Sequence, residues 1–288
     1  MKRTVATIAL VVLLILGAGI VGYPFISNYL MEQNLSSEVQ SYLDSTSQLD
    51  RSSYDAELKK AIEYNKSLIG NVSVADPFGV QPEPDDNYYD LLNVQGTSVM
   101  AAIEIPAIDV RYPIYHGADE SVLLKGIGHL RNTSLPVGGS STHAVLTGHT
   151  GESQAKLFTD LDKLEMDDVF YITVFGETLA YKVDQIKVVV PTDTSELTIE
   201  PDKDYVTLVT CTPYGVNSHR LLVRGTRIPY TREEMKKLNA SRKVAQSTWV
   251  NEYLSAIIIG GSVTAGILIL YALFRVISKR LRKRKDNG

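Results

Sequence analysis

The sequence predicts a mainly β-structured domain, folded as a closed barrel or a sandwich, with a helical N-terminal segment and a transmembrane helix at each end. From Thr97 onward, short alternating apolar runs are separated by turn-forming residues, as in β barrels and sandwiches. Between Glu32 and Ile69 the apolar residues recur at spacings of three and four, which is typical of helices. An apolar run near each end is long enough to cross a hydrocarbon core, which needs roughly 20 residues.

The first apolar run covers Val5 to Ile26 and follows two basic residues. No clear Ala-x-Ala cleavage site follows it, and it is longer than the apolar part of a typical signal peptide. We therefore expect residues 1–30 to form an N-terminal membrane anchor, and a cleaved signal peptide is the alternative.

The second apolar run precedes the basic sequence SKRLRKRK. We expect residues 253–278 to form a C-terminal transmembrane helix and residues 279–288 to form a basic cytoplasmic tail. Because basic flanks remain in the cytoplasm, both termini are predicted to lie there, and the domain between them is predicted to lie outside the cell. This topology predicts a protein of the cell membrane with two spans.

The overall charge is mildly acidic. The chain carries 29 Lys and Arg, 33 Asp and Glu, and a formal net charge of −4. Many of the basic residues lie in the two flanks, so the region between them is more acidic than the average. Nucleic-acid binding needs a basic surface, and we therefore expect no nucleic-acid partner.

Residues 31–70 are predicted to form a helical stem of two helices, interrupted near residues 48–53. A Gly-Asn pair at the end of the stem is a normal helix stop. Residues 71–95 contain three prolines and several aspartates, which prevent regular structure. A loop of this length is usually either functional or disordered.

Residues 96–230 contain the predicted strands, and residues 231–252 are expected to form a linker. The strand segments are SVMAAIEIPAI, RYPIY, THAVLTGH, a hairpin DVFYITVFGETLAYKVDQIKVVVP turning at Gly176 and Glu177, YVTLVTC and SHRLLVRGTRI. Two further segments, SVLLKGIGHLRN and KLFTDLDKL, are predicted to be short helical or irregular connections. A closed barrel of these strands would leave no exposed edges.

Cys211 is the single cysteine of the chain and ends the predicted strand YVTLVTC. It cannot form an internal disulfide, so it is either an inert buried residue or a free reactive thiol. Pro213 ends the strand because it cannot donate a ladder hydrogen bond. A cysteine at the mouth of a strand suits a nucleophile, although a core cysteine fits the same pattern.

A thiol needs a neighbour that takes its proton or stabilises its thiolate. The return strand offers His219 and Arg220, and strand alternation allows only one of them to face Cys211. A guanidinium in that position can donate to a developing oxyanion. An ordinary surface arginine is the alternative interpretation.

The segment LTGHTG places His149 on a turn between glycines, where a histidine can act as a general acid and base. The other histidines of the chain are His116, His129, His143 and His219. Spacing alone does not choose among them.

These segments resemble a known family, the sortases. TLVTCTPYGVNSHRLLVRG resembles the sortase catalytic segment, with its TLxTC cysteine and an arginine on the next strand, and LTGHTG resembles the sortase histidine motif. HLRNTSLPVGGSSTHAVLTGH, KLFTDLDKL and the anchors at both ends resemble class C, the pilus-assembly sortases of Gram-positive bacteria. The likeness runs from about Ser73 to Arg227, and Ser218 departs from it because threonine is commoner there.

The resemblance implies a closed sortase-type β-barrel with short helices over residues 96–230. It also implies that Cys211 is the nucleophile, that His149 is the proton donor and acceptor, and that Arg220 stabilises the substrate and the oxyanion. Class C members cover this site with a lid containing Asp-Pro-aromatic, which Asp76, Pro77 and Phe78 match. Asp76 is then expected to pair with Arg220 and Phe78 to pack on Cys211, and an ordinary Asp-Pro turn is the alternative.

The implied reaction is transpeptidation. The thiolate cleaves an LPxTG-like signal between Thr and Gly, and a lysine of the next pilin subunit resolves the thioacyl enzyme. The implied partners are therefore pilin subunits with LPxTG-like signals and acceptor lysines, with no cofactor and no metal. The alternatives are a sortase that anchors surface proteins to cell-wall precursor, a cysteine hydrolase, and an inactive membrane-tethered scaffold.

Overall fold

The computed structural model describes residues 2–70, 74–80, 87–94, 99–152 and 155–231, with scattered residues between 233 and 274. Among these described residues, no helix combines the length and the apolar character that a membrane crossing requires. The predicted basic tail lies outside the described residues. The predicted C-terminal transmembrane helix, the linker before it and the loop over residues 71–95 lie partly outside them.

Eight strands form one closed barrel in the order β1-β2-β3-β4-β7-β8-β6-β5. Their bounds are β1 Val99–Ile105, β2 Val110–His116, β3 Ile127–His129, β4 Thr142–Thr147, β5 Val169–Val174, β6 Glu177–Val189, β7 Asp204–Thr212 and β8 His219–Ile228. The β2/β3 and β4/β7 pairs are parallel, and the remaining pairs are antiparallel. The barrel therefore has mixed pairing, and the predicted choice between barrel and sandwich is resolved in favour of the barrel.

The helices are α1 Lys2–Ser47, α2 Arg51–Ser67 and the short α3 Glu120–Leu123. The predicted interruption of the stem is present, because Asp50 caps α2 by accepting a hydrogen bond from the Ser53 backbone N–H. Helix α1 includes the first part of the predicted stem and ends at Ser47.

Two buried side chains join the stem to the barrel. The Tyr42 hydroxyl donates to the Met100 carbonyl and accepts from the Phe175 backbone N–H, both at 2.9 Å. Asn65 donates to the Leu135 carbonyl and accepts from the Leu135 N–H. Because all of these polar groups are satisfied, the stem gains apolar burial without the cost of unpaired polar atoms.

Strand β7 buries side chains on both of its faces. Val206 and Leu208 of β7 point into the main core, together with residues of the stem. Val209 points outward into a second hydrophobic group, called here the outer cluster, which consists of Ala118, Leu123, Leu130, Val145, Leu197, Val209 and Leu222. The alternation predicted for YVTLVTC is confirmed, and it places Cys211 on the face of the outer cluster.

The predicted strands are all present, and the hairpin turns at Phe175 and Gly176, one residue before the predicted Gly176 and Glu177. The segment SVLLKGIGHLRN was predicted to be a short helical or irregular connection, and its first residues do belong to α3. The strand that follows was not predicted: it is β3, whose three residues pair with both β2 and β4. Gly128 within β3 leaves no room for a side chain, because a Cβ there would lie 2.4 Å from the Gly117 carbonyl. The two strands beside it thus hold this short segment as a strand.

Candidate active site

Cys211 lies at the end of β7, directly opposite Arg220 on β8. The Arg220 Nη1 atom is 3.4 Å from the Cys211 Sγ atom. The antiparallel register therefore decides between the two sequence candidates, because Arg220 pairs with Cys211 while His219 pairs with Thr212. Strand β7 ends at Thr212, immediately before Pro213, as predicted.

The Arg220 guanidinium is held on several sides. Its Nε and Nη2 atoms donate to the two carboxylate oxygens of Asp76, each at 2.8 Å. Its Nη1 atom also donates to the backbone carbonyls of Asn217 and His219, each at 3.3 Å. The bidentate pair is mostly shielded from solvent, with 11% of the Arg220 side chain and 20% of the Asp76 side chain exposed. A planar guanidinium and a carboxylate in this arrangement form one of the stronger side-chain contacts.

Asp76 belongs to a tight turn that positions Phe78. The Gly79 N–H donates to the Asp76 carbonyl at 2.9 Å, and the Phe78 N–H donates to the Asp76 carboxylate at 3.4 Å. The Phe78 ring lies over Arg220, with 5.0 Å between the guanidinium carbon and the ring centre. It also packs against the outer cluster. Residues 74–80 therefore cover the arginine beside the cysteine.

His149 lies just beyond the end of β4. Gly148 before it has no space for a side chain, since a Cβ would lie 2.7 Å from Ile127 and 3.0 Å from the Phe158 ring. The Thr210 hydroxyl donates to the Gly148 carbonyl at 2.7 Å, which joins this turn to β7. The His149 ring centre is 5.7 Å from that of Phe78. Phe78 thus contacts both the histidine and the arginine.

The electrostatic surroundings of Cys211 oppose ionisation. Burial raises the pKa of the thiol, and the nearby Asp76 carboxylate adds to the rise, while Arg220 acts in the opposite direction. The Asp76 hydrogen bonds raise the pKa of Arg220. The Asp76 carboxylate thus offsets part of the effect by which Arg220 lowers the pKa of the thiol.

The remaining histidines do not belong to this site. His129 and His143 are buried, and hydrogen bonds occupy both nitrogens of each ring. The His116 Nε2 atom donates to the Leu91 carbonyl at 2.6 Å. His219 contacts Ser218 beside it. The structure thus separates His149 from four histidines that sequence spacing left equivalent.

One neighbour of the site was missed by sequence reasoning. The Glu120 Oε2 atom lies 3.4 Å from the His149 Nε2 atom. Glu120 lies directly before the segment SVLLKGIGHLRN, and no motif marks it. Within the part of the chain that the structure describes, no group of three or more His, Cys, Asp and Glu side chains is arranged to hold a metal ion.

A second polar cluster anchors the loop that follows the covering segment. Tyr88 is fully buried and its hydroxyl meets the His129 Nδ1 atom at 2.8 Å. Tyr89 receives a hydrogen bond from Arg131, which also forms an ion pair with Asp119. The Arg131 guanidinium lies over the Tyr89 ring at 5.5 Å. Residues 87–94 are therefore joined to the barrel beside α3.

Comparison with known proteins agrees with the fold. A family profile described as the sortase domain matches residues 103–228. Sortase C-1 from Actinomyces oris is 49% identical, covers 61% of this chain and 99% of its own, and gives a TM-score of 0.59. Sortase C1 of GBS pilus island 1 is 42% identical, with coverages of 74% and 97% and a TM-score of 0.64. Sortase C from Streptococcus pneumoniae is 42% identical, with coverages of 68% and 98% and a TM-score of 0.64.

The closed barrel and these relatives define the protein as a cysteine transpeptidase. The chain belongs to the sortase family, and these solved structures at 42–49% identity are class C sortases.

Proposed function

We propose that this sortase polymerises pilin subunits and that residues 74–80 close its active site as a lid. Cys211 is the nucleophile, His149 is the proton donor and acceptor, and Arg220 stabilises the bound substrate and the oxyanion. The catalytic domain lies outside the cell, and the apolar run at each end of the chain retains it at the membrane with both termini in the cytoplasm.

One observation carries the proposal. The same guanidinium that lies 3.4 Å from the Cys211 Sγ atom forms two 2.8 Å hydrogen bonds with Asp76. A carboxylate in that position occupies the donors that an oxyanion would need. The covering segment therefore acts on the catalytic groups themselves.

The reaction follows from these positions. Once Asp76 leaves, the Arg220 donors become available, and the Cys211 thiolate attacks the threonine carbonyl carbon of an LPxTG-like signal. The oxyanion that forms is stabilised by the guanidinium. The Thr–Gly bond then breaks, and protonated His149 gives its proton to the leaving glycine amine.

The second half of the reaction reverses these roles. A lysine amine attacks the thioester carbon, His149 accepts its proton, and the Cys211 thiolate leaves as the isopeptide bond forms. The support for a pilin acceptor comes from the relatives, since one is a sortase of a pilus island and another was studied for its pilin substrate specificity.

Mass spectrometry of the full-length protein in detergent tests this proposal. A variant with Asp76→Ala and Phe78→Ala is mixed with an LPxTG peptide and a lysine-bearing pilin domain, with Cys211→Ala in the same background as the control. An acyl adduct on Cys211 that passes to a pilin lysine supports a pilin polymerase.

Other outcomes contradict parts of the proposal. An adduct resolved only by water or by glycine-type amines keeps the sortase chemistry but favours hydrolysis or cell-wall anchoring. The absence of any adduct, or transfer that persists in the Cys211→Ala control, contradicts the assigned nucleophile.

A further inference from the structure

The His149 ring has one nitrogen that faces a carboxylate. Its Nε2 atom lies 3.4 Å from the Glu120 Oε2 atom. This nitrogen is buried and makes no hydrogen bond to any described residue. The Glu120 side chain, by contrast, is 72% exposed. A ring nitrogen that is shielded from water therefore has a carboxylate oxygen beside it, just beyond the usual hydrogen-bond distance.

The backbone that carries Glu120 is fixed on two sides. Asp119 before it forms an ion pair with Arg131, which in turn contacts Tyr89. Leu123 at the end of α3 is buried in the outer cluster. The position of Glu120 beside the histidine is thus fixed by the contacts of its own helix.

The other nearby carboxylates are already committed. Asp76 forms a bidentate pair with Arg220, and Asp119 pairs with Arg131. The Glu120 carboxylate is the one that lies beside His149. This arrangement makes Glu120 the group that is suited to hold the imidazole ring.

We propose that Glu120 is a positioning residue for His149 in the transfer reaction. Its carboxylate accepts a hydrogen bond from the Nε2–H group and fixes the ring and its tautomer. Nδ1 is then the nitrogen that gives a proton to the leaving amine and takes one from the entering amine. Glu120 touches no reacting atom and acts through the histidine, as the third member of other nucleophile–histidine sites does. This inference rests on the proposed role of His149.

Substitution of Glu120 tests whether its carboxylate accepts a hydrogen bond from His149 or only lies near it. The full-length protein with Asp76→Ala serves as the parent, and an LPxTG peptide with a lysine-bearing acceptor is the probe. Glu120→Ala removes the acceptor and is expected to lower kcat by about tenfold, with KM unchanged. Glu120→Gln keeps an acceptor oxygen and is expected to restore most of that loss.

Two controls show whether a change in the fold or in the surface charge causes the fall in kcat of Glu120→Ala. Glu177→Ala removes an exposed carboxylate at the start of β6 and is expected to keep the parent kcat. The alkylation rate of Cys211 is expected to be the same in all variants if the site remains intact. A kcat that Glu120→Ala leaves unchanged overturns the proposal, as does a Glu120→Gln variant that is as impaired as Glu120→Ala.

The nitrogen-15 spectrum of histidine-labelled protein provides a readout that does not depend on turnover. His149 Nε2 is expected to carry the proton in the parent and in Glu120→Gln, and to lose this preference in Glu120→Ala. An unchanged tautomer in Glu120→Ala overturns the inference. If the parent forms no acyl adduct, the proposed function fails instead, and the spectrum still reports whether Glu120 orders the ring.

Discussion

His129 lies at the end of β3, and His149 lies just after β4, the adjacent strand. The two rings differ in whether both of their nitrogens form hydrogen bonds. The His129 ring is fully buried, its Nε2 atom donates to the Ser134 carbonyl at 2.9 Å, and its Nδ1 atom meets the Tyr88 hydroxyl at 2.8 Å. Since a carbonyl can only accept, Nε2 must carry the proton and Nδ1 must accept from Tyr88. The His149 ring keeps Nε2 without a hydrogen bond among the described residues and contacts a ring that belongs to the covering segment.

The difference distinguishes a structural histidine from the one proposed to be catalytic. Full burial with both nitrogens occupied favours the neutral ring, and burial lowers the pKa of His129 to about 4. Such a ring cannot exchange protons near neutral pH. The His149 Nε2 atom, in contrast, faces the Glu120 carboxylate. The distinction lies in hydrogen bonds, which the sequence motifs do not record.

Replacement of each histidine is expected to have the largest and most contrasting effects. His149→Gln should lower transpeptidation by about 10³-fold, because general acid–base catalysis is lost, while thermal stability stays near that of the parent. His129→Gln should reduce the free energy of unfolding by about 2 kcal/mol and keep the kcat of the folded fraction. Peptide transfer assays measure transpeptidation, and chemical denaturation measures the free energy of unfolding. If the two variants have equal effects in both assays, the distinction between the two histidines is wrong.

Arg220→Lys is expected to have the next largest effect. A lysine keeps the charge but loses the bidentate geometry toward Asp76 and the oxyanion. In the Asp76→Ala and Phe78→Ala background, we expect a roughly 10²-fold fall in kcat. The free energy of unfolding should change little. Arg224→Lys provides a matched control, since Arg224 lies on the same strand as Arg220 and forms a similar bidentate pair with Asp184 of β6. A kcat in Arg220→Lys equal to that of its parent would contradict an oxyanion role.

The buried histidines should make stability depend on pH. Burial lowers the pKa of His129 and of His143 to about 4, below the ordinary value of about 6.5 that applies when unfolded. The unfolded chain therefore binds more protons between these values, and stability is lost as pH falls. For each of these histidines, the free energy of unfolding should fall by about 2 kcal/mol between about pH 7 and pH 5.

Denaturation curves at the two pH values measure this loss. The His143→Gln variant should lose stability with a shallower pH dependence than the parent, although its stability at neutral pH is lower. A pH dependence as steep as that of the parent would show that His143 is not one of the groups responsible.

Removal of the Asp76 carboxylate should have the smallest effect of the four predicted here. Asp76→Ala removes a group that raises the pKa of Cys211 and leaves the opposing effect of Arg220. The midpoint of the alkylation rate against pH is expected to move downward, with a rise of up to about tenfold in rate near neutral pH. Asp162→Ala, which removes an exposed carboxylate paired with Lys163, is the control. An upward movement of the midpoint in Asp76→Ala would contradict the sign of this argument.

Local patterns were sufficient for much of the fold. Alternation in YVTLVTC placed Val209 and Cys211 on one face, and the helical spacing in the stem located the break before α2. The strand β3 was missed because its three residues contain a glycine and hold a strand conformation only between two neighbours.

The site was less accessible to sequence reasoning because its contacts are distant in the chain. Alternation limited the partner of Cys211 to His219 or Arg220, and only the register of β7 and β8 distinguishes them. Asp76 and Arg220 are 144 residues apart, and their expected pairing came from a family resemblance. Glu120 had no motif and no such resemblance, so only its position beside His149 identifies it.

The bidentate contact between Asp76 and Arg220 has a consequence for substrate affinity. In the proposed lid mechanism the Asp76 carboxylate competes with substrate for Arg220, and because both groups belong to one chain, its effective concentration does not fall on dilution. A sorting peptide would then bind only to the open fraction of molecules, and its apparent dissociation constant would equal the intrinsic constant divided by that fraction. A partner that binds residues 74–80 in the open position would therefore tighten peptide binding without touching the peptide.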